Sequence, residues 1–133
     1  MDLVNLSATE LLSMLSKGKI TSLEIVEACI GQINLKEEEV QAWQHLDFEY
    51  VRQQAKNSDA KRASGVPVGI LHGIPVGIKD IFDTVDFPTE NGTVLSAGRR
   101  PEEDCTAVKL LKSSGAIIMG KTVTAELAVF APG

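Results

Sequence analysis

The stretch Asp104-Cys-Thr-Ala-Val-Lys-Leu-Leu-Lys-Ser-Ser-Gly-Ala-Ile-Ile-Met119 changes period halfway, and that change decides the fold. Its first part spaces Cys105, Ala107, Val108, Leu110 and Leu111 as a helix does, with Asp104 placed to cap it. Lys112 falls in the last turn, and Gly115 ends the helix. Ala116-Ile-Ile-Met119 then reads as a short buried strand. Upstream, Pro75-Val-Gly-Ile-Lys79-Asp80 predicts another buried strand whose glycine allows close backbone approach. Strand, long connection, helix, strand is the order of a βαβ unit, which requires a parallel sheet with helical cover.

Outward from this unit the composition shifts near residue 65. Residues 1–64 hold no proline and two glycines; residues 65–133 hold all five prolines and nine of the eleven glycines. The first half is therefore helical and the second made of strands, turns and loops. Ser7 with Glu10, and Thr21 with Glu24, are capping-box pairs, stapled by Leu6/Leu11 and Ile20/Ile25. The first helix should stop at Gly18 with Leu11, Met14 and Leu15 inward. The second should bury Ile25, Val26, Cys29, Ile30 and Ile33, and Lys36 to Glu39 should form a solvated helix end or loop. A short strand is expected around Val40 to Trp43, then a third helix capped by Asp47 with Phe48, Val51 and Ala55 inward. The near-repeat Gly65-Val-Pro-Val-Gly-Ile and Gly73-Ile-Pro-Val-Gly-Ile has too short a period for a solenoid, which needs about 20 residues.

Composition removes several functions. The 133 residues are 44% hydrophobic and 23% charged, enough for a core, and aromatic residues are only 5%, so that core is aliphatic. Thirteen basic against eighteen acidic residues give a net charge of −5. A nucleic-acid binder or a polybasic membrane-surface protein needs the opposite balance. The longest uncharged stretch, Gly65 to Ile78, is too short for a bilayer span of roughly 20 residues. Cys29 and Cys105 have no metal-ligand spacing, and with only His45 and His72 beside them a zinc site is poorly supplied. Both cysteines read as small core residues of a reduced, cytoplasmic protein.

Three places carry candidate chemistry. Lys79 stands at the carboxyl end of a buried parallel strand, where sites in open sheets assemble, and a desolvated lysine can serve as a base. The alternative is an exposed strand-end lysine paired with Asp80 or Asp83. The connection from Asp83 to Asp104 is long and weakly structured, as loops that line sites are. Gly115 to Thr122 matches GxxxxGK[ST] letter for letter, but a helix precedes the first glycine and the four variable residues want to be a strand. That reverses the phosphate-loop geometry and argues against nucleotide binding through Lys121. His72 reads as a loop histidine that hydrogen-bonds, and no GxSxG pattern occurs.

Leu71-His-Gly-Ile-Pro-Val-Gly-Ile-Lys79-Asp80 resembles the first motif of the amidase signature family. Pro88-Thr-Glu90, Asp104-Cys-Thr106, Gly115 to Thr122 and Glu126 follow in matching order and spacing. The wording Lys79-Asp-Ile-Phe-Asp-Thr84 looks most like malonamidase-type amidases and less like the tRNA-dependent amidotransferase subunit. The resemblance implies an α/β fold: a helical preamble over 1–64, then over 65–133 the first strands of a mixed, largely parallel sheet covered by helices. Residues 1–133 would be the N-terminal portion of a single amidase domain. It further implies hydrolysis of a small amide with release of ammonia, by a Ser–cis-Ser–Lys mechanism in which Lys79 is the terminal base. No cofactor or metal is implied, nor a nucleic-acid or membrane partner; a homodimer of the full-length protein stays open. The two catalytic serines of the family lie in a downstream Gly/Ser-rich segment, and Ser113-Ser114-Gly115 is a helix end that should not stand in for it. The reading frame is then expected to continue past Gly133, and the chain alone to be inactive. A non-catalytic interaction module is the alternative outside the family.

Overall fold

In the computed structural model, which describes residues 2–129, both capping boxes close. Ser7 Oγ accepts from the Glu10 N–H at 3.3 Å while the Glu10 carboxylate accepts from the Ser7 N–H at 2.8 Å. Thr21 and Glu24 repeat the exchange at 3.1 and 2.7 Å. Such caps contribute about 1 kcal/mol each. They start helices α1 (Ala8–Ser16) and α2 (Ser22–Val40). The α2 start has a second cap invisible in the local sequence: the Asp59 carboxylate accepts from the Ser22 and Leu23 N–H groups at 2.7 and 3.0 Å.

The charged run Lys36 to Glu39 is the end of α2, which persists to Val40 and is turned by Gln41 at φ 51°. The strand expected around Val40 to Trp43 is therefore displaced to β1 (Trp43–Leu46). The charged run is a good helix former, and the Glu37 carboxylate receives the Trp43 N–H at 2.8 Å, so the chain leaves the helix later than apolar patterning indicated. Asp47 caps helix α3 (Phe48–Ala63) as expected, accepting from the Tyr50 N–H at 2.9 Å.

Strands β2 (Pro75–Lys79) and β3 (Ile117–Thr122) pair in parallel, joined by the long connection and helix α4 (Thr106–Ser113). The sheet order is β1-β3-β2, with β1 antiparallel to β3, so the sheet is mixed. Beyond the reach of β1, the Gln54 side-chain amide takes the place of a strand neighbour. It accepts from the Ile118 N–H and donates to the Ile118 carbonyl, both at 2.9 Å. Alternation along β3 sends Ile117 and Met119 to Val26, Ile30, Val51 and Ala55 of α2 and α3. Ile118 faces Val108 of α4 together with Ile78 and Phe87. Helices thus cover both faces, and the helical half and the strand-bearing half share one core. Leu11, Leu15 and Ile74 form a further cluster beneath α1.

Two expectations about α4 need correction. Its N-cap is Cys105, without a side-chain bond; the Asp104 carboxylate instead accepts from the Val85 N–H at 2.8 Å and pairs with Lys112 at 2.7 Å. Anchoring the long connection takes that carboxylate away from the helix. Only Val108 of the apolar positions is fully buried, while Ala107 and Leu110 lie exposed on the outer face. The segment expected to run on past Gly133 leaves the described residues at Phe130.

Gly115 ends α4 at φ +90°, and a Cβ there would stand 2.7 Å from His72 Cα. Gly115→Ala should therefore lower stability by about 1–3 kcal/mol through backbone strain alone, more if His72 cannot yield. Chemical denaturation of the variant checks this; unchanged stability would contradict the close approach.

Candidate active site

Lys79 closes β2 at its carboxyl end, opposite Thr122 of β3. Because β2 is the outer strand, the Lys79 side chain is exposed in this chain rather than desolvated. It borders a cleft of about 260 Å³ shared with Phe82, Ala107, Val108 and Leu111. Neither neighbouring carboxylate pairs with it. Asp83 is held by Arg99 in a fork of 2.7 and 2.9 Å, which keeps its carboxyl below the usual range. Asp80 turns into the protein, where it is 1% exposed and faces Lys121 at 3.1 Å.

The phosphate-loop lookalike is not a loop. Ile117 to Thr122 is strand β3, and the Lys121 side chain is 0% exposed. Its ammonium donates to Thr89 Oγ1 at 2.6 Å and to the Pro88 carbonyl at 3.1 Å, besides facing Asp80. Burial pushes the Lys121 ammonium below the ordinary lysine range, while Asp80 pulls it back up. The strand expected in place of a phosphate loop is present, while the burial and pairing of this lysine go beyond what the pattern indicates. A lysine between Gly120 and Thr122 at the end of an apolar strand was the available signal.

A second cluster sits beside it. His45 of β1 meets Glu90 at 2.5 Å, and Glu90 also accepts from the Gly98 N–H at 2.7 Å. The Glu90 N–H in turn reaches both Asp80 oxygens at 3.2–3.3 Å. His45, Asp80 and Glu90 present ligand atoms within 4.8 Å of one another. Each carboxylate is already engaged by protein donors, so the arrangement is an internally satisfied network that pins residues 88–98 to the sheet. A cleft of about 350 Å³ opens over it, bordered by Gln44, Asp80, Glu90, Thr93 and Thr124. The long connection carries a short 3-10 helix, Val94–Ser96, whose Val94 and Leu95 are almost fully exposed.

His72 is buried and donates through Nε2 to the Ser58 carbonyl at 2.8 Å, as a hydrogen-bonding loop histidine should. Cys29 and Cys105 are free thiols, both partly buried against core clusters. No helix among the described residues is long and apolar enough to cross a membrane.

A lysine at the strand end, followed by an inward aspartate and a pinned loop, is a scaffold on which a base can be presented. The Amidase family model matches residues 24–133. The chain belongs to the amidase signature family. It is 38% identical over 128 residues to a glutamyl-tRNA(Gln) amidotransferase subunit of Salinispora arenicola, covering 96% of this chain and 26% of that protein. The protein of the same name from Rhodopirellula baltica is 38% identical over 123 residues, 92% of this chain and 25% of the relative. Among solved structures, an amidase superposes with a TM-score of 0.85 at 30% identity, over 93% of this chain and 28% of the other. The peptide amidase of Stenotrophomonas maltophilia gives 0.85 at 26% identity, over 92% and 25%. This amidase-family chain thus spans about a quarter of the length of the relatives it matches.

The Glu90 carboxyl lies below its usual range, first because of the Gly98 N–H and then because of His45. A depressed carboxylate stabilises the fold above its ordinary pKa of about 4.3 and loses that contribution as pH falls through the lower folded value. The stability gap between the protein and Glu90→Gln should be widest above about pH 5 and close towards acid. Melting curves across pH check this, and a gap independent of pH would contradict it.

Proposed function

We propose that the protein carrying this chain is an amidase that hydrolyses the C–N bond of a small carboxylic amide and releases ammonia. Lys79 is its terminal base and the one member of a Ser–cis-Ser–Lys triad that this chain supplies. The observation that supports it most is the placement of Lys79 at the carboxyl end of a parallel strand, within the motif that matches the family. Neutral Lys79 would accept a proton through a bridging serine, so that the nucleophilic serine attacks the amide carbonyl. Ammonia leaves, and water resolves the acyl-enzyme by the same relay. Residues 1–133 act as the first portion of one catalytic domain, with 1–64 as preamble, and are inactive alone. The desolvation that the base requires comes from chain packed beyond the exposed edge of β2. The protein works in the reduced cytoplasm, in keeping with its free cysteines.

A second reading has a specific observation behind it. The relatives at 38% identity are glutamyl-tRNA(Gln) amidotransferase components, so the same site could serve transfer to misacylated tRNA within a larger assembly. Ammonia release from small amides by the isolated full-length protein favours the first reading. Turnover that needs partner proteins and tRNA favours the second.

In the full-length protein, Lys79→Met and Lys79→Arg should each cut amide turnover by at least about 10²-fold, since neither side chain can take up the proton. Steady-state kinetics beside a melting curve tests this. Normal turnover in Lys79→Arg would overturn the assignment.

A further inference from the structure

The buried ion pair next to Lys79 has no part in the chemistry just described. Lys121 Nζ has three hydrogens and three acceptors around it: Asp80 Oδ1 at 3.1 Å, Thr89 Oγ1 at 2.6 Å and the Pro88 carbonyl at 3.1 Å. Asp80, the residue directly after Lys79, is held at further points. Its N–H donates to the Thr122 carbonyl at 2.9 Å, and its carbonyl accepts from the Asn91 N–H at 3.0 Å. Its carboxylate also accepts from the Glu90 N–H. Stability alone does not account for such a pair, because apolar replacements of buried ion pairs are often neutral or stabilising. What an ammonium adds is a fixed point at which one strand end and one loop must meet.

We propose that Lys121 is a positioning residue: its ammonium locks Asp80 and the Pro88–Thr89 segment together and thereby sets where β2 delivers Lys79. This rests on the amidase reading of Lys79. Lys121 touches no substrate and acts only through its neighbours. Losing it lets the strand end and the loop move apart by a fraction of an ångström, which a proton relay does not tolerate.

The test uses the full-length protein with a small amide, and turnover is measured well below each variant's own melting temperature. Lys121→Met alone leaves the Asp80 carboxylate buried and uncompensated, so its melting temperature should fall. Adding Asp80→Asn removes that charge and should restore the melting temperature. The double variant should nevertheless keep KM within about twofold and lose at least about tenfold in kcat, the signature of misplaced rather than missing machinery. Thr89→Val, which removes one Lys121 acceptor and the hydroxyl's donation to the Phe82 carbonyl at 3.3 Å without stranding a charge, should lower kcat in the same direction by a smaller factor. Wild-type kcat in either the double variant or Thr89→Val would overturn the proposal. Lys79→Met serves as the control: if it retains turnover, the amidase reading itself fails. If it is inactive while the double variant is fully active, only the role of Lys121 fails.

Discussion

The parallel pairing of Pro75–Lys79 with Ile117–Thr122 is the constraint on which the other features hang. A parallel pair needs a long crossover, and here the crossover supplies both α4 and the loop that borders the clefts. It also needs cover on both faces, which α2 and α3 provide on one side and α4 on the other. At the carboxyl end of the pair the register places Lys79 opposite Thr122, with Lys121 and Asp80 directed inward. The exposed lysine and the buried one are neighbours because the pleat alternates and the two strands end together.

Legibility followed the range of the interactions. The capping boxes of Ser7 and Thr21 were readable because both partners lie within four residues. The cap at Asp47 and the stop at Gly115 were readable for the same reason. Asp104 was misread because its partner, Val85, lies nineteen positions away. β1 was placed too early because hydrophobic pattern alone cannot register that Glu37 holds the Trp43 N–H. The Gln54 amide that satisfies Ile118, and the Asp59 carboxylate that caps α2, bridge elements far apart in sequence and left no local trace.

The candidate site divides in the same way. Lys79 is marked by position and motif, and its exposure on an edge strand fits the alternative reading of a strand-end lysine, except that Asp80 and Asp83 pair with Lys121 and Arg99 instead. The residues around Lys121 spell a phosphate-loop pattern whose strand-forming interior argues against that role. The burial of Lys121 depends on a loop thirty-three residues back in the chain, which no window around Gly115 to Thr122 contains. The same separation hides the contact between His45 and Glu90.

The proposed role of Lys79 as base requires its amine to reach a serine hydroxyl in the full-length protein. A crystal structure of the full-length protein measures this directly, preferably with its nucleophile acylated or phosphonylated. The account predicts Lys79 Nζ within about 3.2 Å of a serine oxygen, shielded from water, with Lys121 still on Asp80 and Thr89. Lys79 extended into solvent with no hydroxyl in reach would contradict it.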